Sequence, residues 1–323
     1  MSLARTLALL FVALVVAVGL SLFAGPVSLP LSSWFTDPRA GVILFELRLP
    51  RTLLAALIGA ALGLGGAVMQ GFLRNPLADP GLFGVSASAA LGAVLAIYLG
   101  AASLQPLVVP AFALAGAALG MAALALLVGQ AQSIVLFTLA GLILSSLAGS
   151  LTAFLISIAP SPFVTAQIVT WLMGAVTDRS WQDLWLALPF IAAGAVILWP
   201  VGRALDALTL GEVSARSLGV DLGSLQWRVV VGVGLLVGAS VAVAGVIGFV
   251  GLMVPHLVRP LVGHRPSAVM PAAAVAGAVL LVAADSVVRV LPTAAELRLG
   301  IAMSLVGAPF FLLLLLDMRR RLA

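Results

Sequence analysis

The sequence predicts an all-α, polytopic membrane protein of about ten transmembrane helices with an inverted internal repeat. Three observations predict it. Of 323 residues 63% are apolar and 8% charged, with a mean hydropathy of +1.26, against about 45–50% apolar and about 25% charged in a soluble domain. The apolar residues number roughly 200, enough for about ten spans at about 20 residues each. Finally, two Gly-rich apolar segments far apart in the chain each run into a Pro-broken polar step. Cysteine and lysine are absent and all 16 basic residues are arginine, which excludes disulfides, zinc thiolates, Schiff bases and a Walker A lysine. The net charge of +5 is spread singly between apolar runs, a pattern that orients a chain in the bilayer and does not form a nucleic-acid surface.

The first span is read at 3–24: Arg5 precedes an apolar run longer than a signal-peptide core, so a retained helix is expected. Windows of about 19 residues place further spans near 52–71, 82–100, 107–128, 133–157, 184–202, 228–250, 269–288 and 299–316. Pro255 to Gly263 is too short to cross about 30 Å and counts as a short tenth helix. An even count leaves both termini on one side. With those termini cytoplasmic, ten arginines lie inside, including the tail Arg319 to Arg321, and six outside: Arg39, Arg48, Arg51, Arg179, Arg289 and Arg298. The whole chain, 1–323, reads as one transmembrane domain. Residues 1–50 hold the first helix and an outer loop, 51–157 a first repeat, 158–227 an outer loop, the sixth helix and a polar inner loop, 228–316 a second repeat, and 317–323 a cytoplasmic tail.

Small residues one helical turn apart, Gly59 with Gly63, Gly116 with Gly120 and Gly234 with Gly238, are expected to let helices approach closely inside the bundle. The duplicated segments are Gly65 to Leu77 (GGAVMQGFLRNPL) and Gly245 to Leu257 (GVIGFVGLMVPHL), on helices expected to run in opposite directions. Inverted repeats of this kind belong to transporters.

Three polar stretches carry most of the functional information. Glu46 to Arg51 (ELRLPR) puts Arg48 and Arg51 at the outer mouth of the second helix, where guanidinium groups either snorkel to the interface or dock acidic side chains of a partner. Arg74 to Pro80 (RNPLADP) is a cytoplasmic turn in which prolines stop one helix and launch the next, with Asn75 supplying cap chemistry. Gly202 to Arg228 is the most polar inner loop. Within it Leu210 to Val220 (LGEVSARSLGV) reads as a short helix from Glu212 to Leu218 closed by Gly219, suited to docking a cytoplasmic subunit.

These motifs, RLPR (48–51), GAVMQGFLRNPLADPGLFGVS (66–86), LGEVSARSLGV (210–220), GFVGLMVPHLVR (248–259) and AAELRLGIAMSLVGAPFF (294–311), resemble the FecCD family. Its members are permease subunits of binding-protein-dependent ABC importers for iron-siderophores, haem and cobalamin. The resemblance implies a permease present in two copies as a homodimer, with two cytoplasmic ATPase subunits, which bind ATP and magnesium, and a periplasmic substrate-binding protein. It implies no cofactor, metal or catalytic residue on this chain, and a place in the bacterial inner membrane. Residue by residue, Arg48, Arg51 and Arg289 match outer arginines that dock the binding protein, and Arg298, standing where relatives commonly have proline, adds a fourth. Asn75 and Leu77 match a cytoplasmic gate. Glu212, Val213, Ala215, Arg216, Leu218 and Gly219 match the helix that couples to the ATPase. Asp285 and Arg289, four residues apart, suit a structural ion pair.

The cargo implied first is an iron complex, haem or a ferric siderophore, moved from periplasm to cytoplasm by ATP-driven alternating access; cobalamin is the alternative. GLFGVSASAALGA (81–93) resembles the haem and iron-complex permeases and WLMGAV (171–176) the cobalamin type. His256 suggests a haem ligand, but PHxxR resembles relatives with other cargo, so a locally bonded helix-start histidine is expected. An ion-coupled secondary transporter or a membrane enzyme needs several intramembrane carboxylates, and the spans offer Asp285 alone.

Overall fold

The computed structural model describes residues 2–27, 30–34, 36–129, 134–292 and 295–322. The first position of the 133–157 span, Ala294 of the last motif, the final residue of the tail and the side chains of Arg320 and Arg321 lie outside the described set.

Fourteen α-helices are described. In α1 (Leu3–Phe23) the Ser2 hydroxyl accepts from the Arg5 backbone N–H and caps the start. Helix α2 (Pro38–Val42) passes through a π-helical turn (Ile43–Arg48) into α3 (Leu49–Phe72), one continuous run of 35 residues from Pro38. Then come α4 (Val85–Tyr98), α5 (Val108–Val128), α6 (Ile134–Ser157), α7 (Pro162–Leu172) and α8 (Trp181–Leu198). Two short helices, α9 (Val201–Leu208) and α10 (Glu212–Ser217), precede α11 (Leu222–Ala244), α12 (Val250–Val262), α13 (Pro266–Val290) and α14 (Leu299–Leu322). Eight helical stretches among the described residues are long and apolar enough to cross a membrane. The short α4 and α12 complete the expected ten.

Three boundaries differ from the sequence reading. The span expected at 228–250 is α11, which stops at Ala244 because Gly245 (φ +70°) and Phe249 (φ +67°) turn the chain. The short helix expected at 255–263 is α12, starting at Val250, with Pro255 inside it. The outer loop after α6 contains α7, whose Pro162 start and Ser161 cap are a helix signal in a segment otherwise read by hydropathy alone. The second repeat segment therefore occupies the break after α11 and the first half of α12. It packs directly against the first: a methyl group on Gly66 would stand 1.9 Å from the Gly251 carbonyl oxygen.

At the centre α3 lies antiparallel to α13. A methyl on Gly59 would stand 2.2 Å from the Gly277 oxygen and one on Gly277 2.1 Å from that of Gly59, while Gly63 meets Ala273 in the same way. Gly116 lies on Ser88 and Gly92, Gly234 on Met121, and Gly238 on Ala117, so all three glycine pairs pack within the chain's own bundle. Lipid tails are as apolar as leucine, so close backbone approach is what holds such helices together. The peripheral helices instead present large apolar side chains outward, among them Leu119 and Leu126 of α5, Leu139 and Ile143 of α6, and Leu305 and Leu313 of α14. Two polar faces result: the Asp285 face, where α3 begins and α13 ends, and the α10 face, where α3 ends and α13 begins.

Candidate functional site

On the Asp285 face five charged side chains from three elements converge. Asp285 of α13 is fully buried between two arginines. Arg51 of α3 donates to it from Nη2 at 2.6 Å and from Nε at 3.1 and 3.2 Å. Arg289, one turn along α13, donates from Nε at 2.8 Å and again from Nη2. The remaining donors of Arg289 reach the Ser21 carbonyl (3.3 Å), the Ser21 hydroxyl (3.0 Å) and the Thr52 hydroxyl (3.2 Å). Arg51 also forks onto Glu296, which accepts from Nη1 at 3.2 Å and from Nη2. The Thr177 hydroxyl donates to Glu296 at 3.1 Å, so this carboxylate joins α3 to the α7–α8 and α13–α14 connections. Burial opposes the charge on Glu296, but the hydrogen bonds and charge of Arg51 outweigh it, with Thr177 and Arg289 adding, and its carboxyl is held below the usual range. Arg48 donates to the carbonyls of Leu22 (2.8 Å) and Val27.

Three guanidinium groups against two carboxylates leave one positive charge within this cluster. The expected i, i+4 pair of Asp285 with Arg289 is formed. Of the outer arginines expected to dock a binding protein, Arg48 and Arg289 are buried and Arg51 has a side chain only 11% exposed. A partner could engage these cations only by opening the network. Glu296 escaped the sequence reading, although with 11 acidic residues in the chain each one beside a span is informative. Arg298 is partly exposed and, with Trp171, Thr177, Asp178 and Arg179, lines a cleft of about 480 Å³ on the same face.

The α10 face holds the other predicted residues. Asn75 Oδ1 accepts from the Leu77 N–H at 2.9 Å, and the Ala78 N–H donates to the Asn75 carbonyl at 3.1 Å, so both gate candidates belong to one Asx turn. Beyond it lies a cavity of about 380 Å³ walled by Leu62, Asp79, Pro80, Ser145, Thr152 and Gly251, among others. Met69 and Gln70 are buried in the bundle and do not line it. Gln70 donates to the Gly251 (3.3 Å) and Leu252 (3.2 Å) carbonyls and accepts from Arg259 at 2.7 Å.

Helix α10 covers Glu212–Ser217, within one residue of expectation. It ends in a Schellman cap: Gly219 (φ +83°) donates to Arg216 and Val220 to Ala215, at 2.9 and 3.0 Å. Val213 (78% exposed), Leu218 (64%) and Leu210 (66%) form an apolar surface on it. Ala215, one of the residues matched to the ATPase-coupling helix, is fully buried and anchors the helix on the bundle. The preceding helix, α9, is pinned to α13 by Asp206, which accepts from the Ser267 N–H (2.9 Å) and hydroxyl (2.5 Å) and caps that helix. His256 lies in the middle of α12, not at its start, with its ring edge-on to Phe310 at 5.8 Å. No group of three or more His, Asp or Glu side chains suited to a metal occurs among the described residues.

The sequence profile of the FecCD transport family matches residues 13–317. The vitamin B12 import system permease protein BtuC of Shigella boydii is 40% identical over 320 residues, covering 98% of this chain and 96% of that one. An uncharacterized ABC transporter permease protein of Bacillus subtilis, YvrB, is 39% identical over 289 residues, covering 88% and 81%. A solved structure described as an inward-facing conformation of a metal-chelate type ABC transporter superposes with a TM-score of 0.87 at 33% identity, covering 97% and 99%. PsaBC from Streptococcus pneumoniae shares the fold, with a TM-score of 0.59 at 20% identity, covering 84% of this chain and 92% of that one.

Proposed function

The chain belongs to the FecCD transport family and is a permease of an ABC importer; from that premise we propose that it carries a large metal chelate, with cobalamin the first candidate, from periplasm to cytoplasm. The observation that carries this cargo is the 40% identity to vitamin B12 permeases over 98% of the chain. It favours cobalamin over the iron complex that the motifs alone put first. Two copies of the chain flank the path and the turn at Asn75 and Leu77 closes its cytoplasmic end. ATP is hydrolysed on two separate subunits seated on α10. The exposed apolar trio Leu210, Val213 and Leu218 beside charged Glu212 and Arg216 supports this seat, since a solvated loop has no use for three large apolar side chains in a row of eleven residues.

A binding protein docks on the Asp285 face, where Arg298 offers a cation at the accessible edge. The test is ATPase activity of the permease assembled with its ATPase subunits in nanodiscs, on adding binding protein loaded with cobalamin, haem or a ferric siderophore. Stimulation by the cobalamin form alone is expected. Stimulation by haem or siderophore alone restores the iron-complex reading, and absence of any ATPase partner restores the ion-coupled transporter.

A further inference from the structure

The α10 face contains two helix ends built alike and filled differently. Where α10 stops, Gly219 holds the left-handed position of its Schellman cap. Where α3 stops, the same pattern recurs: the Asn75 N–H donates to the Gln70 carbonyl at 3.2 Å and the Arg74 N–H to the Gly71 carbonyl at 3.3 Å. Here the left-handed residue is Arg74, at φ +50°. Arginine has a Cβ that resists this conformation and no short polar side chain to compensate, so glycine would suit the backbone better. A strained residue that persists calls for a use of its side chain.

The side chain supplies that use. Arg74 Nη2 forms an ion pair with Glu212 Oε1 at 3.8 Å. It joins the residue immediately before the Asx turn of Asn75 and Leu77 to the first residue of α10. Both side chains are partly in water, 43% and 32% exposed, so the pair adds little to static stability. It is suited to transmitting a displacement. The other end of the unit is fixed, because α9 is held to the start of α13 through Asp206 and Ser267. Between the two lies Gly211 at φ +98°, directly before α10.

We propose that Arg74 is the positioning residue that couples α10 to the gate: movement of α10 about Gly211 pulls on Glu212, and through Arg74 on the turn that holds Asn75 and Leu77. This rests on the reading of α10 as the ATPase seat and of that turn as the gate.

The test uses the assembled transporter in lipid vesicles and needs no knowledge of the cargo. The chain has no cysteine, so Leu77→Cys gives one label site on it, and its labelling by a membrane-impermeant maleimide is compared with and without ATP plus vanadate. With Arg74 present the labelling rate is expected to change ~tenfold on ATP trapping, within the usual range of coupling between sites. Arg74→Gly, which relieves the backbone, is expected to keep the melting temperature and the ATPase rate while losing the ATP-dependent change. Glu212→Arg loses it as well, and the exchange Arg74→Glu with Glu212→Arg restores at least half. A full ATP response in Arg74→Gly, or an exchange no better than its single parts, overturns the proposal. Val213→Asp, on the exposed side of α10 and away from the turn, separates the two claims: loss of ATPase association supports the seat, whereas unchanged association removes the seat and the proposal with it.

Discussion

At the Asp285 face Arg51 and Arg289 share a fully buried carboxylate, and both terminal nitrogens of Arg289 also find oxygens of Ser21 and Thr52. At the α10 face Arg74 and Glu212 meet across 3.8 Å with both side chains partly in water. The same residue types thus serve opposite ends. A buried pair is costly to leave half-made, because the surviving charge has no solvent to turn to. An exposed pair is cheap to break and remake. The first arrangement locks three elements together, and the second suits a contact that must move.

The contrast breaks most visibly at Asp285. Asp285→Ala leaves the buried Arg289 guanidinium without its carboxylate, while Arg51 keeps Glu296, and is expected to cost about 3–5 kcal/mol, read as loss of folded protein in a detergent thermal melt; an unchanged melt would mean the cluster is not sealed from water. Next comes Gly277→Val on the α13 rod that joins the two faces. Its Cβ points at the Gly59 carbonyl from 2.1 Å, and about 1–3 kcal/mol is expected from forced separation of the helices, checked by the same melt. Glu296→Gln should cost less, about 1–2 kcal/mol, as a hydrogen-bonded charge at the cluster's edge. Its pH dependence has a definite sign. A carboxyl held below its ordinary pKa stabilises fully above that ordinary value and loses the contribution as pH falls through the folded one. Wild type should therefore weaken below about pH 4.5 along a limb that Glu296→Gln flattens.

Smaller still is Arg298→Glu, which should leave the melt unchanged and weaken binding-protein affinity by about tenfold at low salt, an effect that fades as salt is added. Arg74→Gly comes last, with stability within about 0.5 kcal/mol of wild type and its whole effect in coupling.

The helices were legible because membrane burial leaves a composition signal that no neighbour can override: α5, α6, α8 and α14 fall within a few residues of the expected spans. The short helix at 212–217 was legible for a local reason, Gly219 closing it. The break at Gly245 was not, since a run of valine, alanine and glycine has the same hydropathy whether or not the backbone turns there. Helix α7 was missed because an 11-residue apolar helix falls below the span threshold. Among the site residues, the spacing of Asp285 and Arg289 announced their pair, whereas Glu296 joined Arg51 from 245 positions away. The place of Arg48 at a helix mouth suited either snorkelling or docking, and only the fold supplied the carbonyls of Leu22 and Val27 that draw it inward.

The sequence by itself determined that this chain crosses a membrane about ten times, that it offers no Walker A lysine, and which short stretches stay polar. Those properties depend on composition and local spacing, which a linear chain states outright. The tertiary structure alone decided which charges are sealed and which remain free, and that Arg74 stands beside Glu212. These depend on side chains brought together over 138 positions for Arg74 with Glu212 and 234 for Arg51 with Asp285, and no local rule carries information across such distances.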